Sequence, residues 1–169
     1  REILCRILKI LRRGKNMLKN SNPNFIIFAN FMLMIAWHLV ILLLCRILPS
    51  NFFSSNKFIY KPRKWEKNGN FYVRVLKIKK WKDKLPQFVA KEGFSKKNLN
   101  TSDISKEYLE RFILETCRAE WNHLMCCMYG VVSFFINSQF YAILFSIIPI
   151  AANLPFLVIQ RFNRLRLVK

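Results

Sequence analysis

A long uncharged run near the N-terminus limits most strongly what this chain can fold into. Residues 25–45, FIIFANFMLMIAWHLVILLLC, contain no Lys, Arg, Asp or Glu, and the next charge is Arg46. In a helix, about 20 apolar residues span the hydrocarbon core of a bilayer. The run therefore predicts a transmembrane helix over residues 25–48. His38 lies near its middle, where a polar side chain is expected to hydrogen-bond to a neighbouring helix.

Two more apolar runs follow near the C-terminus. They cover residues 121–136 and 139–159, and Asn137 and Ser138 separate them. This pattern predicts a membrane helical hairpin whose first arm is short for a full span, and is either tilted or buried in protein. The predicted fold is thus mainly α. It is an integral membrane protein with one N-terminal transmembrane helix, a C-terminal helical hairpin and a basic interfacial region between them.

The charge balance narrows the class of protein. The chain carries 29 Lys and Arg against 9 Asp and Glu, a formal net charge of +20, yet it is 53% hydrophobic. A soluble nucleic-acid binder fits the charge but not the apolar runs, so no nucleic-acid partner is expected. A multi-pass protein of the cell membrane, with basic flanks on lipid headgroups, fits both features.

The regions outside the apolar runs are basic. Residues 1–20 predict a basic amphipathic helix, and residues 100–124 predict a helix with an apolar stripe. Residues 65–86 fit either a short strand or an interfacial helix, because their periodicity does not separate the two. In this segment Trp65, Tyr72 and Trp81 stand among lysines, which is typical of side chains at a membrane–water interface.

The stretch ETCRAEWNHL, residues 115–124, contains the first candidate site. On a helix Glu120 and His123 share a face, and Glu115 pairs with Arg118 on a neighbouring face. A carboxylate beside an imidazole fixes the tautomer of the ring and makes it a better base, so the pair could take a proton from a hydroxyl. A solvated helix end with an ordinary ion pair is the alternative.

The stretch NLPFLVIQRFNRLRL, residues 153–167, contains the second candidate site. Its guanidinium groups could clamp a carboxylate, a phosphate or a lipid headgroup, or they could form a positive flank on phospholipids. Its amides lie in or beside an apolar span, where polar groups usually bond to something. The chain has no cluster at metal-ligand spacing and no nucleotide-binding motif, so neither a metal nor a cofactor is expected. The amides meant here are those of Asn153, Gln160 and Asn163, and the guanidinium groups are those of Arg161 and Arg164.

Three separated segments resemble the glycosyl-4,4'-diaponeurosporenoate acyltransferases of bacterial carotenoid biosynthesis. They are WEKNGNFYVRVLKIKKWKDKLP, ETCRAEWNHL and NLPFLVIQRFNRLRL, and the resemblance covers roughly residues 25–169. Residues 1–20 have no counterpart and are expected to lie outside the family unit. Phe162 stands where the family usually has Tyr, so it receives no polar role.

The resemblance implies a membrane-bound acyltransferase. It implies transfer of a fatty acyl group from an activated donor to a sugar hydroxyl of a glycosylated C30 carotenoid acid, with other enzymes of the pathway as further partners. The implied catalytic residues are His123 as the base, Glu120 as its orienter and Arg118 as a donor to the oxyanion, for which Lys82 and Arg161 are also candidates. The implied substrate-binding residues are Trp81, Lys82, Lys84, Glu115, Asn153, Gln160, Arg161, Asn163 and Arg164. The alternative is a non-catalytic membrane scaffold or anionic-lipid-binding protein.

Overall fold

The computed structural model describes residues 21–86 and 105–167, with a few isolated positions before residue 21. The α-helices are α1 (Pro23–Ile47), α2 (Asn70–Arg74), α3 (Lys106–Cys127), α4 (Tyr129–Ile136) and α5 (Gln139–Leu167). Short 3-10 turns lie at Ser50–Phe53, Lys64–Gly69, Ile78–Lys80 and Lys82–Lys84. These ranges contain no strand, so the predicted mainly-α class is confirmed and residues 65–86 are a series of helical turns. The amphipathic helix predicted for residues 1–20 lies largely outside the described residues.

Helices α1 and α5 are long and apolar enough to cross a bilayer. Their mean hydropathies are 2.4 and 2.3 over 18-residue windows. Only 17% of the α1 window is buried, and large apolar side chains such as Phe28, Leu39 and Leu43 are exposed. A helix in the core of a soluble protein would cover such side chains, whereas this surface suits lipid.

The boundaries of the C-terminal hairpin differ from those expected. The predicted first arm, residues 121–136, is the end of α3 followed by the separate helix α4, with a break at Met128. At this break the Met125 carbonyl accepts the Met128 backbone N–H at 3.1 Å and the Trp37 indole N–H at 2.9 Å. The second arm, α5, runs beyond residue 159 to Leu167. Asn137 and Ser138 do separate the two arms, as predicted.

The two arms of the hairpin approach closely at Gly130. A Cβ atom at this position would lie 3.3 Å from Ser146, which is tighter than ordinary contact. The Ser146 hydroxyl donates to the Gly130 carbonyl at 2.8 Å. Small residues that allow backbones to approach, with a hydroxyl bonding across, are typical of helix pairs in membranes.

The chain divides into two compact units. The first contains Arg1–Ile47 and Asn122–Leu154, and the second contains Leu48–Trp121 and Pro155–Lys169. Within the first unit, Asn30 and Asn137 exchange two side-chain hydrogen bonds of 2.8 Å, and the Tyr129 hydroxyl donates to the Asn30 carbonyl at 3.0 Å. These buried polar groups satisfy one another's hydrogen bonds within the unit.

The core of the second unit is aromatic and aliphatic. Trp81 packs against it half-buried, and Tyr72 belongs to it, whereas Trp65 is 55% exposed. The rings of Tyr72 and Trp81 pack against the apolar face of α5 in this unit, and their predicted position at a membrane–water interface remains a prediction. Gly69, at φ 93°, lies beneath the Phe162 ring in a left-handed turn that few other residues would adopt. The buried members of this core are Tyr72, Ile78, Ile159, Phe162 and Leu165.

We expect α1 and α5 to anchor the chain in the membrane. Alkaline carbonate strips peripheral proteins from membranes but leaves inserted helices in place, because their apolar surface has no favourable alternative in water. Immunoblotting of the pellet and supernatant after carbonate treatment should find the intact chain in the pellet. Recovery of the intact chain in the supernatant would contradict insertion.

Candidate active site

Three side chains from three helices of the first unit meet around Asn153. The His123 Nδ1 atom, on α3, lies 3.0 Å from Asn153 Oδ1, and Asn153 Nδ2 lies 3.2 Å from His38 Nε2 on α1. His38 Nδ1 lies 2.8 Å from the Met34 carbonyl oxygen one turn earlier. The expected hydrogen bond from His38 to a neighbouring helix is confirmed, since Asn153 belongs to α5.

Local sequence positions the asparagine. Asn153 is buried, and its Nδ2 also donates to the Pro149 carbonyl at 2.9 Å, one turn earlier on α5. The side-chain amide is thereby held at a fixed rotation within the helix. His123 is half-buried beside it. A ring in such a place is partly shielded from water but has a defined orientation, as catalytic imidazoles require.

The contacts of Glu120 differ from those expected from helix spacing. In the second unit Glu120 Oε1 lies 3.3 Å from Arg161 Nη1, and Glu120 Oε2 forms an ion pair with Arg164. In the first unit His123 Nδ1 lies 3.0 Å from Asn153 Oδ1. A buried carboxylate gains more from charge-assisted bonds to guanidinium groups than from a neutral ring, which explains the difference.

Glu66 is the centre of a buried polar cluster that the motifs of the sequence do not reveal. Its side chain is fully buried, and it accepts hydrogen bonds from Tyr72 Oη (2.6 Å), Arg161 Nε (2.8 Å), Arg161 Nη2 (3.0 Å) and the Arg63 backbone N–H (2.5 Å). Burial alone would raise the pKa of Glu66, but the bonds from Arg161, Tyr72 and Arg63 outweigh it and lower the pKa.

The sequence does contain a signal for this cluster. Glu66 is the sole carboxylate between Glu2 and Asp83, in a stretch rich in Lys and Arg. A lone acid in such surroundings is expected to have a specific cationic partner, and a sequence alone does not tell which cation folds back onto it. The partner, Arg161, lies 95 residues away.

All five N–H donors of Arg161 are in use. Besides Glu66 and Glu120, its guanidinium donates to the carbonyls of Ile59 at 2.9 Å and Lys61 at 2.6 Å. A guanidinium has five N–H donors, so no donor remains for a substrate anion in this arrangement. The contacts of Arg161 therefore suit a residue that positions the polypeptide, and its predicted role in holding an anion remains a prediction.

Arg164 has donors left. It is 2% exposed, its Nη1 faces Glu120, and its guanidinium lies 5.4 Å from the centre of the Tyr60 ring. Its Nη2 is buried and donates to no acceptor within residues 21–86 and 105–167. The predicted role of Arg164 in holding an anion remains a prediction.

The predicted Glu115–Arg118 ion pair is confirmed, with Arg118 Nη1 2.6 Å from Glu115 Oε1. The Arg118 guanidinium also lies 5.1 Å from the centre of the Phe53 ring. Its Nε is buried and has no acceptor in the described part of the chain. Arg118 thus keeps a donor that is not committed to the fold there.

The remaining predicted substrate-binding residues are in varied environments. The Trp81 indole donates to the Leu76 carbonyl at 2.8 Å, and Lys82 pairs with Asp83 at 3.0 Å. The other three are Lys84, which is exposed, and Gln160 and Asn163, which are half-buried.

A groove of about 370 Å³ opens on the surface of the second unit. Trp65 and Phe71 supply aromatic surface with ring centroids 5.0 Å apart, and Lys67 and Arg74 add positive charge. Such a combination suits an anionic group attached to an apolar or planar one. The residues that line it are Trp65, Lys67, Asn70, Phe71, Arg74 and Val75.

Comparison with known proteins identifies the class. The family model described as glycosyl-4,4'-diaponeurosporenoate acyltransferase matches residues 56–169. A relative of that name from Staphylococcus aureus (strain N315) is 28% identical over 124 residues, covering 72% of this chain and 73% of the relative. Its counterpart from Staphylococcus aureus (strain bovine RF122 / ET3-1) is 27% identical over the same shares. No solved structure matches the chain.

The chain is therefore a helical enzyme that transfers acyl groups. It belongs to the glycosyl-4,4'-diaponeurosporenoate acyltransferase family, which acts in carotenoid biosynthesis. The resemblance seen in the three sequence segments is thus confirmed at the level of the family.

Proposed function

We propose that this chain esterifies a sugar hydroxyl of a glycosylated C30 carotenoid acid with a fatty acyl group, as a multi-pass protein of the cell membrane. The names of the relatives support the substrate class. The exposed apolar surface of α1 and the length of α5 support the location. Both substrates are amphiphiles, so an enzyme that joins them is expected at the boundary between water and lipid.

The observation that carries this proposal is the half-buried imidazole of His123, oriented by Asn153 at 3.0 Å. In the proposed reaction the ring takes the proton from the sugar hydroxyl while the hydroxyl oxygen attacks the carbonyl carbon of the activated acyl donor. The tetrahedral intermediate then collapses, the bond to the leaving group breaks, and the imidazolium returns the proton to that group. An ester and a protonated leaving group result.

The oxyanion that forms at the acyl carbonyl needs a donor. Arg118 is the preferred candidate because its Nε is buried without an acceptor among the described residues. Lys82 remains a candidate, although it pairs with Asp83. Arg161 and Glu120 are proposed as positioning residues, since they bond to each other and Arg161 also bonds to Glu66. The predicted action of Glu120 on His123 remains to be tested.

The groove beside Trp65 is the proposed contact for the anionic part of the acyl donor. Lys67 and Arg74 line it, and the surrounding segment is rich in lysine. Positive charge on a protein surface raises the local concentration of an anionic substrate. No metal or cofactor enters the proposed reaction.

The alternative of a non-catalytic membrane scaffold conflicts with the family of acyltransferases to which the chain belongs. The basic segment would suit a scaffold, for example the half-buried Arg63, whose guanidinium lies 4.0 Å from the centre of the exposed Phe58 ring. A scaffold needs positive charge and apolar surface for anionic lipids, but it does not need an oriented imidazole. His123 therefore separates the two functions.

Mass spectrometry of pigments tests the proposed function. Cells that make the glycosylated carotenoid acid would be compared with and without this chain. The expected result is that the precursor mass disappears and a species heavier by one fatty acyl residue appears when the chain is present. Identical pigment masses in both cell lines, with the chain present in the membrane fraction, would contradict the proposal.

A further inference from the structure

In each hydrogen bond of the chain through Asn153, the chemistry of the two atoms determines which one donates and which one accepts. The Met34 carbonyl oxygen can only accept, so His38 Nδ1, 2.8 Å away, must carry a proton and donate it. In a neutral ring the other nitrogen, Nε2, is then an acceptor. Asn153 Nδ2 supplies the donor at 3.2 Å.

The orientation of the Asn153 amide is fixed by a second bond. Its Nδ2 donates to the Pro149 carbonyl at 2.9 Å, and a rotated amide would set two oxygens against each other there. Oδ1 therefore faces His123, and it can only accept. His123 Nδ1, 3.0 Å away, must be the donor, which leaves the lone pair of a neutral His123 ring on Nε2.

We propose that Asn153 locks both histidines as the Nδ1–H tautomer, and that His38 is a positioning residue that acts on His123 through Asn153. The choice of tautomer matters because a free imidazole in water favours the proton on Nε2. A proton there would leave Nε2 without a lone pair. The tautomer assignment is independent of the proposed acyl transfer, whereas its catalytic consequence rests on that proposed function.

Nitrogen NMR of the histidine rings tests the tautomer directly. The chain contains only two histidines, so full-length protein labelled with 15N-histidine and held in lipid nanodiscs gives two rings to assign. Above neutral pH both rings of the wild type should be protonated at Nδ1 and unprotonated at Nε2. In Asn153→Leu the His123 signal should move to the Nε2–H form. A wild-type His123 ring protonated at Nε2 would overturn the proposal.

A matched control distinguishes loss of the hydrogen bonds from Asn153 to the two histidines from loss of any buried amide. Asn30 is fully buried in the same unit and bonds to Asn137. Asn30→Leu should leave both rings in the Nδ1–H form, although it removes a comparable polar contact. A tautomer change in Asn30→Leu equal to that in Asn153→Leu would show that the ring responds to general loosening, and would overturn the specific role of Asn153.

Two variants of His38 test its positioning role. His38→Gln keeps an acceptor near the position of Nε2, whereas His38→Leu has none. General-base catalysis contributes about a hundred- to ten-thousand-fold, so partial loss of the orientation of the base should cost about 10-fold or more in activity. Acyl transfer should fall on this scale in His38→Leu and be largely retained in His38→Gln. Equal losses in both variants would overturn positioning through the acceptor. If the tautomer is as proposed and His123→Ala remains active, the proposed role of His123 as the general base fails while the tautomer assignment stands.

Discussion

His123→Ala is expected to abolish acyl transfer while the protein still inserts into the membrane. The substitution removes the imidazole that we propose as the general base. Loss of such a base typically lowers the rate by about a hundred- to ten-thousand-fold. Acyl transfer would be measured as the ratio of acylated to unacylated pigment by mass spectrometry, with the amount of chain normalised by immunoblotting of the membrane fraction. The glycosylated precursor should accumulate.

Asn122→Ala is the matched control for this variant. Asn122 precedes His123 on α3, is also half-buried, and accepts a hydrogen bond from the Cys45 thiol at 3.6 Å. Its replacement removes a polar contact of the same unit but no base, so acylation should stay within a few-fold of wild type. A stably inserted His123→Ala protein that acylates as fast as Asn122→Ala would contradict the role of His123 as the general base.

Glu66→Gln is expected to cause the largest loss of stability. It leaves the buried Arg161 guanidinium without its main counter-charge, and breaking a buried ion pair on one side costs about 3–5 kcal/mol. For a chain of this length that corresponds to a drop in melting temperature on the order of 10 °C. Thermal unfolding of the detergent-purified protein, followed by tryptophan fluorescence, measures the change.

Two comparisons make this test specific. Glu115→Gln removes one partner of an ion pair in which Glu115 is 38% exposed, and an exposed pair contributes about 0–1 kcal/mol. The double variant Glu66→Gln/Arg161→Met should be more stable than Glu66→Gln alone, because it no longer buries an unpaired charge. A melting temperature for Glu66→Gln equal to that of Glu115→Gln would contradict the central place of Glu66.

The same carboxylate predicts how stability changes with pH. The pKa of Glu66 is lowered in the folded protein by its bonds to Arg161, Tyr72 and Arg63, despite burial. Its contribution to stability is therefore complete above its ordinary pKa of 4.5 and is lost as the pH falls through the lower folded value. As the pH falls below 4.5, the Glu66→Gln protein should lose less stability than the wild type does.

The apolar helices could be predicted from the sequence, whereas the partners of the polar residues could not. The run at residues 25–45 predicts α1 because a long uncharged segment has few other solutions in a protein. The break at Met128 was not predictable, because residues 121–136 are apolar on both sides of it. It depends on contacts of the Met125 carbonyl with Met128 and with the distant Trp37.

The contacts of the candidate site could also be predicted only in part from the sequence. Helix spacing correctly predicts the Glu115–Arg118 pair, whose partners are three residues apart. It cannot predict that His123 bonds to Asn153, 30 residues away, or that Arg161 bonds to Glu66. Such choices depend on tertiary packing and on competition between acceptors, in which a buried guanidinium binds a carboxylate more strongly than a neutral ring does.

The position of the acyl group on the product tests the central claim most directly. Pigment from cells that contain the wild-type chain would be fragmented by tandem mass spectrometry. We expect a fragment that holds the sugar and the fatty acyl group together, and a carotenoid acid fragment of unchanged mass, in wild type but not in His123→Ala cells. An acyl group attached to the carotenoid fragment, or an acylated sugar formed equally in cells without the chain, would contradict the account.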